Sequence, residues 1–265
     1  MIVMKYKLYQ VDTFTEKLFG GNPAAICPLN EWLDDDLLQK IAMENNLAET
    51  AFYVKRDDNY EIRWFTPKVE VDLCGHATLA TAFVLFNQEG YSNDCINFYS
   101  PRSGELKVIK KSNWIVLDFP ADEFQNIDIT DELVSCFDKK PLEAYKGKTD
   151  YMLVFEKESD ILDIHPQFEN ISRLNARGLI ITAKSENVDF VSRFFAPQSG
   201  IIEDPVTGSA YTTLTPYWAE KLNKTELSSL QMSERKGYLQ CKFSGNRVEI
   251  SGQAKLYLVG EILLG

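Results

Sequence analysis

The stretch VDLCGHATLATA, residues 71–82, puts a thiol (Cys74), a glycine (Gly75) and an imidazole (His76) side by side. A short apolar run ends there and a longer one begins, the pattern of a strand that stops and a helix that starts. The first N–H groups of a helix lack partners and carry the positive end of its dipole, so the junction suits a small anion. EDPVTGSA, residues 203–210, offers a second such junction with Asp204, Gly208 and Ser209. Each has a plainer reading. Asp-Pro and Gly-Ser favour turns and helix caps, and a free Cys is commonly a small buried hydrophobe. A Cys74/His76 nucleophile–base pair is not expected, because residues two apart at such a junction should diverge.

The elements that position these residues occur twice. At a constant shift of 130, Leu38 meets Phe168, Ile41 meets Ile171, RWFTP at 63–67 meets RFFAP at 193–197, and Cys74 meets Asp204. Beyond that point the second copy carries extra residues, after which Gly75-His76-Ala77 meets Gly208-Ser209-Ala210. Each copy reads helix, strand, turn, strand, F-x-P, short strand, Gly, helix. DDDLLQKIAMENN (34–46) is an amphipathic helix with an acidic start. TAFYV and YEIRWF flank KRDDN, a hairpin signal. HATLATAFVLF is apolar nearly all round, so it should be buried on all sides. Its counterpart carries Pro216, which should kink or limit it. The boundary falls at WIVLDFPA, giving lobes 1–118 and 119–265. Facing each other, the lobes would bring both junctions to one cleft suited to a small carboxylate, held by backbone donors rather than by arginine.

The totals narrow the partners. A net charge of −11 argues against nucleic acid or an anionic membrane surface, which need a basic face. No apolar run approaches the ~20 residues of a membrane helix, and MIVMKYKLYQVDTF alternates as a strand does. Five scattered cysteines without a C-x-x-C pair, and only two histidines, make a disulfide framework or a metal cage unexpected and point to a reducing cytoplasm. No phosphate-binding glycine motif is present.

FTEKLFGGNPAAI (14–26), LAETAF (47–52), CGHATLATA (74–82), LDFPA (117–121) and EDPVTGSA (203–210) together resemble the PhzF-like, or phenazine biosynthesis-like, family. The resemblance covers the whole chain. It implies an α/β (α+β) fold shared with diaminopimelate epimerase: two similar lobes, each a curved, mostly antiparallel sheet wrapped around a central helix, with the last strand crossing back to the first lobe. It also implies an enzyme without metal or organic cofactor, and a homodimer. Epimerases of this fold face two cysteines across the substrate carbon. Here the first matches Cys74 and the second position is Asp204, so a two-thiol racemase is not expected. In the PhzF-like branch a glutamate of the ETxF block does the acid/base work, matching Glu49, and the family's His, Asp and Ser match His76, Asp204 and Ser209.

The residues agree with those roles. Glu49 precedes a strand that should be buried, and burial raises a carboxyl pKa toward neutrality. Its partner in the repeat is Leu179, so the acid belongs to one half only and one-base chemistry follows. His76 at a helix start favours its neutral form. The turn at Gly21-Asn22-Pro23 walls the cleft, placing Asn22 among the substrate-binding residues with Cys74, Gly75, Gly208 and Ser209. The expected function is a cofactor-independent isomerase that moves a proton on a small carboxylate, as the family's namesake does with a dihydro-hydroxyanthranilate. The alternatives are a catalytically idle binding or regulatory homologue and a Cys74-based hydrolase.

Overall fold

The computed structural model describes residues 4–57 and 59–265. The first three residues of the expected N-terminal strand and Asp58 of the first hairpin turn lie outside that range. The chain divides into two compact units, residues 1–118 with 251–265, and residues 119–250.

The first unit holds β1 (Met4–Thr13), β2 (Asn22–Leu29), α1 (Asp35–Asn45), β3 (Glu49–Arg56), β4 (Asn59–Phe65), β5 (Glu70–Val71), α2 (Gly75–Asn87), β6 (Cys95–Ser100), β7 (Gly104–Lys111) and β8 (Trp114–Pro120), whose last two residues belong to the second unit. β1 pairs antiparallel with β2, β2 parallel with β3, β3 antiparallel with β4, β4 parallel with β6, and β6 antiparallel with β7. α1 ends at Asn46 in the left-handed region, a conformation Asn tolerates. It buries Leu38, Ile41 and Ala42 against Phe52, Val54 and Phe65 of the sheet.

α2 packs on β1, β2 and β3, and eleven of its thirteen residues are buried. Alanines at 77, 80 and 82 let the strands approach closely. The two buried threonines satisfy their hydroxyls on the helix itself, Thr78 donating to the carbonyl of Cys74 at 2.6 Å and Thr81 to that of Ala77 at 2.8 Å. An all-round buried helix therefore carries these polar side chains without leaving their hydroxyls unpaired.

The second unit holds β9 (Gln125–Ile127), α3 (Asp131–Val134), β10 (Glu143–Lys146), β11 (Asp150–Val154), α4 (Glu158–Asp163), α5 (Phe168–Arg173), β12 (Gly178–Lys184), β13 (Phe190–Phe195), α6 (Tyr211–Leu222), β14 (Glu226–Gln231), β15 (Gly237–Ser244) and β16 (Arg247–Gly252), the last crossing the unit boundary. From β10 to β15 the pairings run antiparallel, parallel, antiparallel, parallel, antiparallel, the same succession as in the first unit. Helices fall at the same places, α4 and α5 where the first unit has α1, and α6 where it has α2. The final strand, β17 (Ala254–Leu264), pairs antiparallel with β1 from end to end apart from a register shift at Tyr257.

Pro216 lies inside α6 and supplies no N–H to the carbonyl of Thr212. That carbonyl accepts instead from the backbone N–H of Asp122 at 3.1 Å. A three-residue 3-10 turn, Gly208–Ala210, precedes the helix.

The units also repeat in detail. Arg63 forks onto Glu70 (Nε–Oε1 2.7 Å, Nη2–Oε2 2.9 Å) over the ring of Phe65, and Arg193 forks onto Glu203 at the same distances over Phe195. This fixes Glu203 as the counterpart of Glu70. Val71 pairs with Trp64, and Asp204 donates its N–H to the carbonyl of Phe194 at 3.0 Å. Asp204 therefore stands where the first unit has Val71, not Cys74. The extra residues of the second copy lie earlier than the sequence alignment placed them, in the 3-10 turn Pro197–Ser199. The residue that precedes the helix turn as Cys74 does is Thr207. The position of Glu49 needs the same correction. Thr50 pairs with Phe65 and Leu179 with Phe195, so Glu49 corresponds to Gly178 rather than Leu179. A Cβ at Gly178 would come within 2.2 Å of Phe194 Cζ, so a side chain there would have to displace that ring.

Candidate active site

β2 begins at Asn22 and β3 at Glu49, and the parallel register sets Ala24 beside Glu49. The N-terminal ends of the two strands are thus neighbours. The chain reaches β2 through Gly21 at φ +62°, where a Cβ would meet the Thr13 carbonyl oxygen at 1.8 Å; only glycine fits. Thr13 Oγ1 donates to the Asn22 carbonyl at 2.9 Å, and Asn22 is fully buried.

Asn22, Glu49, Cys74 and His76 come together in the first unit. His76 Nε2 lies 3.3 Å from Glu49 Oε2, but out of line for a hydrogen bond. Its Nδ1 lies 3.4 Å from Asn22 Nδ2 and 3.3 Å from Cys74 Sγ. The Glu49 side chain is 13% exposed and that of His76 5%. Burial pushes the imidazole down to about 3, with the ring neutral near pH 7.

The contact between Cys74 and His76 overturns the expectation that they diverge. Cys74 is the N-cap of α2, with extended backbone (φ −138°, ψ 107°), and His76 is the second helical residue. N-cap side chains fold back over the first turn, so neither strand nor helix periodicity governs the pair. A neutral imidazole held this far down is a poor base for a thiol, so the contact does not make a nucleophile.

Glu49, Cys74 and His76 are also a ligand-type cluster, with one donor atom from each within 4.8 Å of the others. The closest approaches use opposite nitrogens of the ring: thiol at Nδ1, carboxylate at Nε2. A single zinc would sit at roughly 2.0–2.3 Å from each ligand and could use only one of them. The imidazole thus lies between the two groups, thiol on one ring nitrogen and carboxylate on the other.

In the second unit Asp204 is 8% exposed and accepts from Thr207 Oγ1 at 2.5 Å. Gln231, fully buried on β14, ties this turn together. Its Nε2 donates to the Asp204 carbonyl at 2.8 Å, and its Oε1 accepts from the Thr207 N–H at 2.9 Å. Ser209 Oγ accepts from Arg177 Nη1 at 3.0 Å, and Asp150 grips the same guanidinium through both carboxylate oxygens. The sequence points to anion binding by backbone donors rather than by arginine. The structure adds Arg177 beside Ser209, its charge matched by Asp150. Gln231, Arg177 and Asp150 carry no signal in the sequence, because each sits in an ordinary strand or turn context.

The fold is shared with proteins of distant sequence. A hydroxyproline epimerase from Agrobacterium vitis matches 98% of this chain and 93% of its own at a TM-score of 0.63 with 9% identity. The fold class is therefore the epimerase-like one. The PhzC-PhzF model, phenazine biosynthesis-like protein, matches residues 11–260, and the chain belongs to that family. A Pseudomonas aeruginosa relative named as an uncharacterized isomerase is 49% identical over 98% of this chain and 100% of its own. A PhzF-family crystal structure from Enterococcus faecalis is 48% identical, with a TM-score of 0.96 over 98% of this chain and 100% of that one. Among the described residues no helix is long and apolar enough to cross a membrane.

Proposed function

We propose that this protein is a cofactor-independent isomerase in which Glu49 is the single acid–base group acting on a small carboxylate-bearing substrate. The ionised carboxyl of Glu49 removes a proton from a carbon made acidic by an adjacent unsaturated system. The electron pair left behind shifts through that system. The now neutral Glu49 returns the proton at another carbon, so that charge and atoms balance. His76, neutral, gives a hydrogen bond to an oxygen on which negative charge develops, without adding charge of its own. Gly75 binds the substrate through its helix-start N–H.

One observation carries the reading: a largely buried carboxyl, on Glu49, stands 3.3 Å from a buried neutral imidazole at the start of a long helix. The isomerase names of close relatives support the reaction class. The test is turnover of a dihydro-hydroxyanthranilate and a panel of small unsaturated amino and hydroxy acids, with Glu49→Gln as control. Turnover that falls at least about 10²-fold in Glu49→Gln, with unfolding unchanged, supports the proposal. Ligand binding by thermal shift without turnover or C–H exchange on any compound supports an idle binder instead.

A further inference from the structure

We infer that Asn22 and Cys74 act as a tautomer lock on His76, holding the single proton of the neutral ring on Nε2, so that this nitrogen is a donor and never a base. Nδ1 of the ring faces two groups with hydrogens to give, the Asn22 amide nitrogen at 3.4 Å and the Cys74 thiol at 3.3 Å. An amide nitrogen donates only, so Nδ1 must offer its lone pair. On the other side, Nε2 faces the carboxylate of Glu49 at 3.3 Å. The opposite tautomer would set N–H against N–H at Asn22 and a bare lone pair against the carboxylate oxygen. Only the Nε2–H form suits both sides.

The lock is rigid at its far end. Asn22 is fully buried, its carbonyl is held by Thr13, and the chain enters through a position that only glycine can occupy. The Nε2–H, although buried, makes no aligned hydrogen bond among the described residues. It is a donor with its tautomer fixed and its partner missing, the preorganisation wanted for an oxygen of a bound carboxylate or carbonyl. Asn22 and Cys74 are then positioning residues. The tautomer itself follows from the contacts alone; its use in turnover rests on the reading of Glu49 given above.

The full chain labelled with 15N-histidine contains two rings, His76 and the exposed His165, which His165→Gln identifies. Long-range proton–nitrogen correlation should show His76 in the Nε2–H form, unchanged between about pH 5.5 and 8, where an ordinary histidine titrates. An Nδ1–H pattern, an averaged mixture or a charged ring in the unmodified protein would overturn the inference, and needs no variant to fold. Asn22→Asp replaces the donor with an acceptor and should move the proton to Nδ1 or charge the ring. Asn22→Leu with Cys74→Ala removes both donors and should give a mixture. Spectra like wild type in both would overturn the lock. kcat in Asn22→Asp should fall about 10²-fold, the size of one lost preorganised donor. Full turnover in Glu49→Gln with the Nε2–H pattern intact would sink the acid–base reading and leave the lock standing.

Discussion

His76 should make the protein acid-sensitive in a way that one substitution removes. In the unfolded chain the ring takes up a proton at its ordinary value of 6.5, whereas burial in the folded state delays this to about 3. Between those values the unfolded chain binds a proton that the native protein refuses. The stability contributed by the neutral ring is therefore complete above pH 6.5 and is lost as the pH falls toward 3. At about 1.4 kcal/mol per pH unit, the full interval is worth about 5 kcal/mol, and the step from pH 6.5 to 5 about 2 kcal/mol. The Glu49 carboxylate 3.3 Å away attracts the proton, so these figures are upper bounds and Glu49→Gln should steepen the slope. The assay is urea unfolding at pH 7, 6 and 5 for wild type and His76→Gln, which does not titrate. The advantage of wild type over the variant should shrink by up to about 2 kcal/mol over that range. Parallel curves for the two proteins would refute the burial argument.

Two further substitutions test the scaffold. Gly21→Ala combines a left-handed backbone with a Cβ 1.8 Å from a carbonyl oxygen that no rotamer change can relieve. It should cost at least about 3 kcal/mol, lower Tm by on the order of 10 °C and reduce turnover by displacing Asn22; calorimetry with wild-type Tm would contradict this. Arg193→Ala strands the partly buried carboxylate of Glu203 and should cost about 3 kcal/mol in urea unfolding. Arg63→Ala should cost less, because Arg102 stays 2.9 Å from Glu70 and the other partner of Arg63, Asp35, is exposed; a neutral effect of Arg193→Ala would show that the repeated forks are ornamental.

Most of the element pattern was legible before any coordinates. The acidic start of α1, the β3–β4 hairpin and the two glycine-led junctions follow from local composition, and the repeat reappears as an identical succession of strand pairings. Registration within the repeat was less legible. Few identities constrain it, so the alignment slid by one residue at Glu49 and put the extra residues after Asp204 instead of in the Pro197–Ser199 turn. Hydrogen-bonded ladders, which sequence does not display, settled both points. Long-range polar contacts were illegible for a related reason. Gln231 reaches Asp204 and Thr207 across more than twenty residues, and Arg177 reaches Ser209 across 32. The Asp122 N–H that takes over for Pro216 lies about ninety positions away from its acceptor. The Cys74–His76 contact was in reach of sequence reasoning, since N-cap geometry is general, but periodicity was the wrong rule to apply there.

The central claim, that Glu49 alone moves the proton, is tested most directly by following substrate C–H exchange in deuterated water with wild type and Glu49→Gln side by side. The account predicts that wild type introduces deuterium as it isomerises a dihydro-hydroxyanthranilate or another member of the panel. Glu49→Gln should bind the same compound, unfold at the same temperature, and exchange at least about 10²-fold more slowly. Exchange by the variant at the wild-type rate would contradict it.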